Sequence, residues 1–310
     1  FLQRGVVMLS AGLALPSFLT RAVHAAGEDV AANPAFANRV LVVIQMAGGN
    51  DGLNTVVPFG DGRYHDLRKA IGLPDDKVLP LADGVGLNSA MGKLKGLWDQ
   101  NHLAVVQGVG YPKPDLSHFR SMEIWQTAST GPATGAGWIG RYFDKVIDEQ
   151  GHVLDGVAVG NTAPMSMRAN QGVTAVVERA DAYTIRGDGS FPKDTTARVD
   201  TLLNLYRSYP QSAPYAALLN TVPVNAYRSS QELQRAAKEY IPALDYPTTP
   251  LGTGFKMLAQ AMSSNLGVRV FHIGMGGFDT HTNEVATQAR LLGQLSDAMT
   301  AFYQDLEAHG

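Results

Sequence analysis

Five aliphatic residues in a row, Val40-Leu41-Val42-Val43-Ile44, are followed within a few positions by Gly48-Gly49-Asn50-Asp51-Gly52. A run without polar alternation has no solvent face. It suits a strand buried on both sides, as in the middle of a parallel sheet. The glycines let the backbone turn sharply and approach a ligand closely. Open α/β sheets bind ligands at the carboxyl ends of their strands, which is where Asp51 falls. Asn50-Asp51-Gly52 is also a common turn former, and this stretch alone does not separate the two readings.

Further along, Leu103–Val106, Val153–Val159, Val173–Val177 and Val268–Gly274 read as strands, and Met91–Gln100, Asp115–Thr127 and Leu251–Met262 as helices. Pro58–Gly86 is loop-rich. Leu292, Leu295, Met299, Phe302 and Leu306 recur at helical spacing, giving an amphipathic helix that faces the core. Val199–Tyr206 and Ala213–Lys238 are helical in pattern and look like a helical insertion rather than a sheet layer. Strands alternating with helices predict an α/β fold, a largely parallel sheet with helices on both faces. The chain is long enough to bury a sizeable core.

Composition narrows the function classes. A net charge of −3 gives no basic footprint for nucleic acid, and the absence of cysteine excludes disulfides, zinc–thiolate sites and cysteine nucleophiles. Val6–Leu19 is apolar but shorter than the ~20 residues of a membrane span. It precedes Val23 and Ala25, which suit a cleavage site, so residues 1–25 read as a signal peptide incomplete at its start, and 26–310 as the α/β domain. Phe1-Leu2 matches the end of a twin-arginine export motif. The expectation is a periplasmic or secreted protein with no membrane span once the leader is removed.

Three strand ends carry residues capable of chemistry. Asp51 is the first. Asp115-Leu116-Ser117-His118 is the second, with Asp115 as N-cap and Ser117 in a first helical turn. There the unpaired N–H groups and about +0.5 charge favour an anionic oxygen. Ser117 could attack a phosphorus or carbonyl centre, or it could be an ordinary helix-start residue. Gly276-Gly277-Phe278-Asp279-Thr280-His281 is the third. Asp279 and His281, two apart, face one side of an extended segment. A carboxylate with an imidazole suits zinc or manganese, but a pair is too few for a site, so Asp51 or others must join. The alternative is a solvated loop ahead of the helix at Glu284. His272, inside an apolar strand, reads as a core histidine.

Through VVIQMAGGNDGLNTVVPF (42–59), DLSHFRSMEIWQTA (115–128) and GGFDTHTNE (276–284), the chain resembles the bacterial domain of unknown function 1501 family. That family is similar to the alkaline phosphatase-like superfamily of phosphatases and sulfatases. The resemblance implies a metal-assisted hydrolase fold. Asp51 would take the place of the first-strand metal ligand, Asp279 and His281 the paired ligands after a later strand, and Ser117 the nucleophile. Family members continue with segments like SEFGR and GTDHG, which supply further ligands, so the resemblance also implies that this chain is C-terminally truncated. The sulfatase Cys-x-Pro-x-Arg signature is absent. The leading expectation is an exported, metal-dependent hydrolase of small anionic, phosphate-type esters, with zinc or manganese as cofactor. The alternative is a non-catalytic exported binding or surface protein with a degenerate hydrolase fold. A Ser-His-Asp carboxylic-ester hydrolase fits less well, because no Gly-x-Ser-x-Gly elbow surrounds Ser117.

Overall fold

The computed structural model describes residues 39–310 except 133–134, 147–153, 155, 171, 173, 181–182, 184–194, 211, 213–215 and 265. The leader expected at 1–25 therefore lies outside the described residues, as do Val153 and Val173, the first residues of two expected strands.

The chain runs β1 (Leu41–Met46), α1 (Gly52–Thr55), β2 (Val56–Val57), α2 (Gly62–Leu67), β3 (Val78–Ala82), β4 (Val85–Asn88), α3 (Gly92–Asp99), α4 (His118–Thr127) and α5 (Trp138–Val146). It continues with β5 (Gly156–Val159), β6 (Thr174–Val177), α6 (Thr195–Arg207), α7 (Ala216–Glu239), α8 (Pro250–Met262), β7 (Val270–Met275) and α9 (Glu284–His309). The main sheet is parallel throughout, in the order β1-β7-β5-β6. This is a mixed α/β fold around a four-stranded parallel sheet. Among the described residues, no helix is long and apolar enough to cross a membrane.

Alternation along the strands sends side chains to two packed faces. Phe271, Ile273 and Met275 of β7 and Val157 of β5 join the larger core, which includes Phe255 and Leu258 of α8 and Leu291, Leu292 and Leu295 of α9. Val270 and Ala158 face the other way and pack with Ile139 and Phe143 of α5 and with Met167. The two helices at Thr195–Arg207 and Ala216–Glu239 pack on each other, and the second also packs on α8.

Two strand expectations need correction. The Val40–Ile44 run forms β1, but at the sheet's edge, with Leu41 47% exposed. The central, doubly paired strands are β7 and β5; β7 has a neighbour on either side through the Val43↔His272 and Ala158↔His272 registers, and β5 lies between β7 and β6. Leu103–Val106 is not a strand: it pairs with no described strand and is only partly buried. Its neighbour His102 instead bonds the Tyr303 hydroxyl on α9. Aliphatic content gives a segment β tendency, but a strand also needs a ladder partner.

A small antiparallel sheet, β2-β4-β3, spans the loop-rich stretch and its flanks. Asp83 and Gly84, both at positive φ, form its two-residue hairpin turn. Asn54 anchors this sheet beneath the β1 loop. Its Nδ2 donates to Ile71 O at 2.8 Å, its Oδ1 accepts from Tyr64 at 2.6 Å, and its carbonyl accepts from Asn88 at 2.9 Å.

Candidate functional site

All three sequence segments meet at the carboxyl ends of β1 and β7. The approach depends on two glycines at positive φ, Gly48 (+105°) and Gly49 (+80°). A Cβ on Gly48 would stand 2.7 Å from the Asp279 backbone nitrogen, and one on Gly49 would stand 2.8 Å from Cε1 of His118. Only a residue without a side chain lets the β1 loop, the start of α4 and the loop after β7 come this close.

Asp279 is the hub. Its Oδ1 lies 3.3 Å from Nε2 of His118 and 3.0 Å from Nε2 of His281. All three side chains are at least half exposed. The structure thus brings Asp279 and His281 together as expected and adds His118, which the sequence reading quoted only as the neighbour of Ser117. The same strand-end argument that singled out Ser117 could have found it.

Ser117 also sits differently from expectation. Asp115 Oδ1 accepts from Ser117 N–H at 2.8 Å, an Asx-type turn. The helix therefore starts at His118 with Ser117, not Asp115, as N-cap. The Ser117 Oγ accepts only a long bond, 3.5 Å, from Arg120 N–H. Ser121 is bonded by the Tyr111 hydroxyl at 3.0 Å.

Asp51 is occupied elsewhere. It caps α1, accepting from Leu53 and Asn54 N–H at 3.1 and 3.3 Å, and its other oxygen pairs with Arg68. Glu284, at the start of α9, shares a hydrogen bond with Asp51. That bond, with burial and the Asp51 charge, pushes the Glu284 carboxyl above its usual value against the opposing pull of Arg68. Gln288 fastens the same helix to the loop, donating to Asn50 Oδ1 at 3.0 Å and to Asp51 O at 2.9 Å. Arg68, Glu284 and Gln288 carried no sequence signal of their own, because only the folded chain sets them beside Asp51.

One carboxylate oxygen between two imidazole nitrogens is a donor set that zinc and manganese accept. Its three members fit such an ion in chemistry. Among the described residues, no three His, Cys, Asp or Glu side chains already close around one point.

Beside this cluster lies a cavity of about 410 Å³, bounded by β1, β7, α4 and α5. His272 opens onto it, and burial holds that imidazole below its usual pKa, in the neutral form.

Residues 101–310 match the family model described as a protein of unknown function, DUF1501. The chain belongs to the DUF1501 family. The DUF1501 match takes in two of the three segments that carry the resemblance, including His118, Asp279 and His281. Comparison with curated proteins gave no match, and comparison with solved structures gave none either.

Proposed function

We propose that this DUF1501 protein is an exported, alkaline phosphatase-like, metal-dependent hydrolase of phosphate-type esters, acting in the periplasm or outside the cell. In this reading, the paired helices at 195–239 form an insertion into that fold. The observation that carries the proposal is the meeting of His118, Asp279 and His281 at the carboxyl ends of β1 and β7, with Ser117 next to His118 in the chain as the N-cap of α4. Those three side chains would hold a divalent ion, zinc or manganese. When bound, the ion supplies Lewis-acid stabilisation to a charged ester. Ser117 offers the attacking hydroxyl. Its oxygen is held by a single long bond, so little is lost when it turns to substrate. The open N–H groups of the first turn of α4 favour negative charge at the same place.

A second reading, a non-catalytic exported binding protein with a degenerate hydrolase fold, draws support from Asp51. The expected first-strand ligand is paired with Arg68 and serves as a helix cap. Metal analysis combined with turnover of p-nitrophenyl phosphate separates the two. Under the hydrolase reading, the protein carries stoichiometric zinc or manganese, Asp279→Ala loses it, and Ser117→Ala keeps the ion but loses turnover. A protein with no transition metal and no turnover, unchanged by either substitution, belongs to the second reading.

A further inference from the structure

The cavity next to the histidine–aspartate cluster has a lining that ester cleavage does not require. Trp125 and Trp138 form aromatic walls, and both stay more than a third exposed. Tryptophan normally hides most of its surface, so two open indoles around one hollow offer flat apolar faces to a ligand.

The remaining lining mixes aliphatic and methionine side chains with polar groups, among them Gln45, Gln126, Ser166, His118 and His272. Gln126 Nε2 donates to Gln45 Oε1 at 2.6 Å, while Gln126 Oε1 accepts from Met165 N–H at 3.0 Å. The two amides are thus fixed in orientation, with N–H groups left over. Ser166, 3% exposed, has a hydroxyl with no partner among the described residues. A buried hydroxyl without a partner is uncommon and asks for a ligand or water. His272, neutral, offers one donor and one acceptor. No Asp, Glu, Lys or Arg side chain is among the described residues that line the cavity. A second cavity of about 250 Å³ shares Gln45, Gln126 and His272, so a ligand can extend along the strand ends.

Each ligand class can be weighed against these walls. An anion would find no Lys or Arg among the described lining residues, only His118 already paired with Asp279, and a cation would find no carboxylate. A purely apolar ring would cover the indoles but leave the Ser166 hydroxyl and the spare amide protons unpaired. A ring with apolar faces and a rim of hydroxyls satisfies both kinds of wall. The volume also falls within the ~300–1,000 Å³ of small-ligand pockets.

We infer that this cavity binds an uncharged, hydroxyl-rich ring of carbohydrate type. Its position beside His118 makes it the subsite for the sugar portion of a sugar ester. That placement rests on the hydrolase reading, whereas ring binding itself does not.

The test is calorimetric titration of metal-free protein with neutral methyl glycosides of glucose, galactose, mannose and N-acetylglucosamine, with phenol as the apolar ring. At least one glycoside should saturate, and phenol should bind at least tenfold more weakly. Trp125→Ala and Gln126→Leu should each weaken the glycoside at least tenfold. Should Trp125→Ala fail to fold, Gln45→Leu gives the same comparison. No saturation by any glycoside, phenol binding as tightly as the best sugar, or folded variants that bind like wild type would each overturn the inference. Glycoside binding without ester turnover would leave it standing and remove only the hydrolase reading.

Discussion

Gly48→Ala tests whether the closeness of the three loops is what makes the site. The substitution adds a Cβ at a φ of +105°, 2.7 Å from Asp279 N and 3.1 Å from Asp279 Cβ. Backbone strain at such a position costs about 1–3 kcal/mol, and forcing an atom into a packed contact costs roughly 1–3 kcal/mol more. A loss of about 3 kcal/mol would lower the melting temperature by roughly 5–10 °C in a chain of this size. The consequence for the site is sharper. Opening a 2.7 Å contact to an ordinary 3.4 Å moves Asp279 by about 0.7 Å relative to the β1 loop. Metal–ligand distances tolerate only about ±0.2 Å, so under the metal-dependent reading the displaced Asp279 could not join His118 and His281 on one ion. Zinc affinity, measured by competition with a chromophoric chelator, should fall about 10- to 100-fold, the range seen when the supports of a metal site are disturbed. Gly52→Ala is the control: nothing lies within 4 Å of its Cβ, and it opens the α1 helix. A folded Gly48→Ala protein with the zinc affinity of wild type and of Gly52→Ala would refute the argument.

Asp305, fully shielded, accepts from Tyr240 (2.7 Å), Tyr246 (2.6 Å) and Ala243 N–H (2.7 Å), tying residues 240–246 to α9. Asp305→Ala should cost about 3 kcal/mol in urea unfolding, since three part-buried donors lose a charged acceptor. Burial by itself would raise the Asp305 pKa, but the bonds from Tyr246, Ala243 and Tyr240 outweigh it and hold the carboxyl below its usual value. The stability it contributes is therefore present above about pH 4 and lost as pH falls through the folded value, a loss that Asp305→Asn should remove from the acid limb of a urea-midpoint profile. Glu284 has the opposite sign. With its pKa raised, its contribution is full below the unfolded value near 4.5 and lost as pH rises through the folded one. Glu284→Gln should consequently be the more stable protein at pH 8, by on the order of 1 kcal/mol, and wild type stable to the same degree at that pH would count against the shared proton. Arg68→Ala leaves Asp51 and Glu284 without their cation. Its melting temperature should fall, and added zinc or manganese should raise it by more than the same metal raises that of wild type, because a second, vacated carboxylate pair then takes up the ion.

The fold was legible where a segment declares its own partner. The helical spacing from Leu292 to Leu306 needs only a buried face, and α9 covers all of it. Val268–Gly274 was readable as a strand because β7 is apolar and paired on both sides. The Val40–Ile44 run misled about position rather than type: five aliphatic residues fit a central strand, yet β1 stands at the edge. Which strand is central depends on pairings across more than two hundred positions, and no local pattern encodes them. Leu103–Val106 failed for the same reason, having composition without a ladder. The hairpin β3–β4 was missed although its signal was local, since Asp83-Gly84 between apolar runs is a strong two-residue turn.

The site divides along the same line. The rule that places ligands at strand ends pointed to Asp51, Ser117, Asp279 and His281; the folded chain sets Asp279 against His281 and adds His118, which that rule had not singled out. It could not say which side chains would face one another. Asp51 is the instructive case. In a cluster of carboxylates, something positive has to stand between them, and a sequence cannot distinguish a metal ion from a guanidinium reached through folding. Here Arg68 takes that place beside Asp51 and Glu284, leaving Asp279 as the carboxylate that faces imidazoles. At Asp51 the positive charge is thus the built-in arginine, and under the metal-dependent reading a divalent ion would be held only at Asp279 and its two imidazoles.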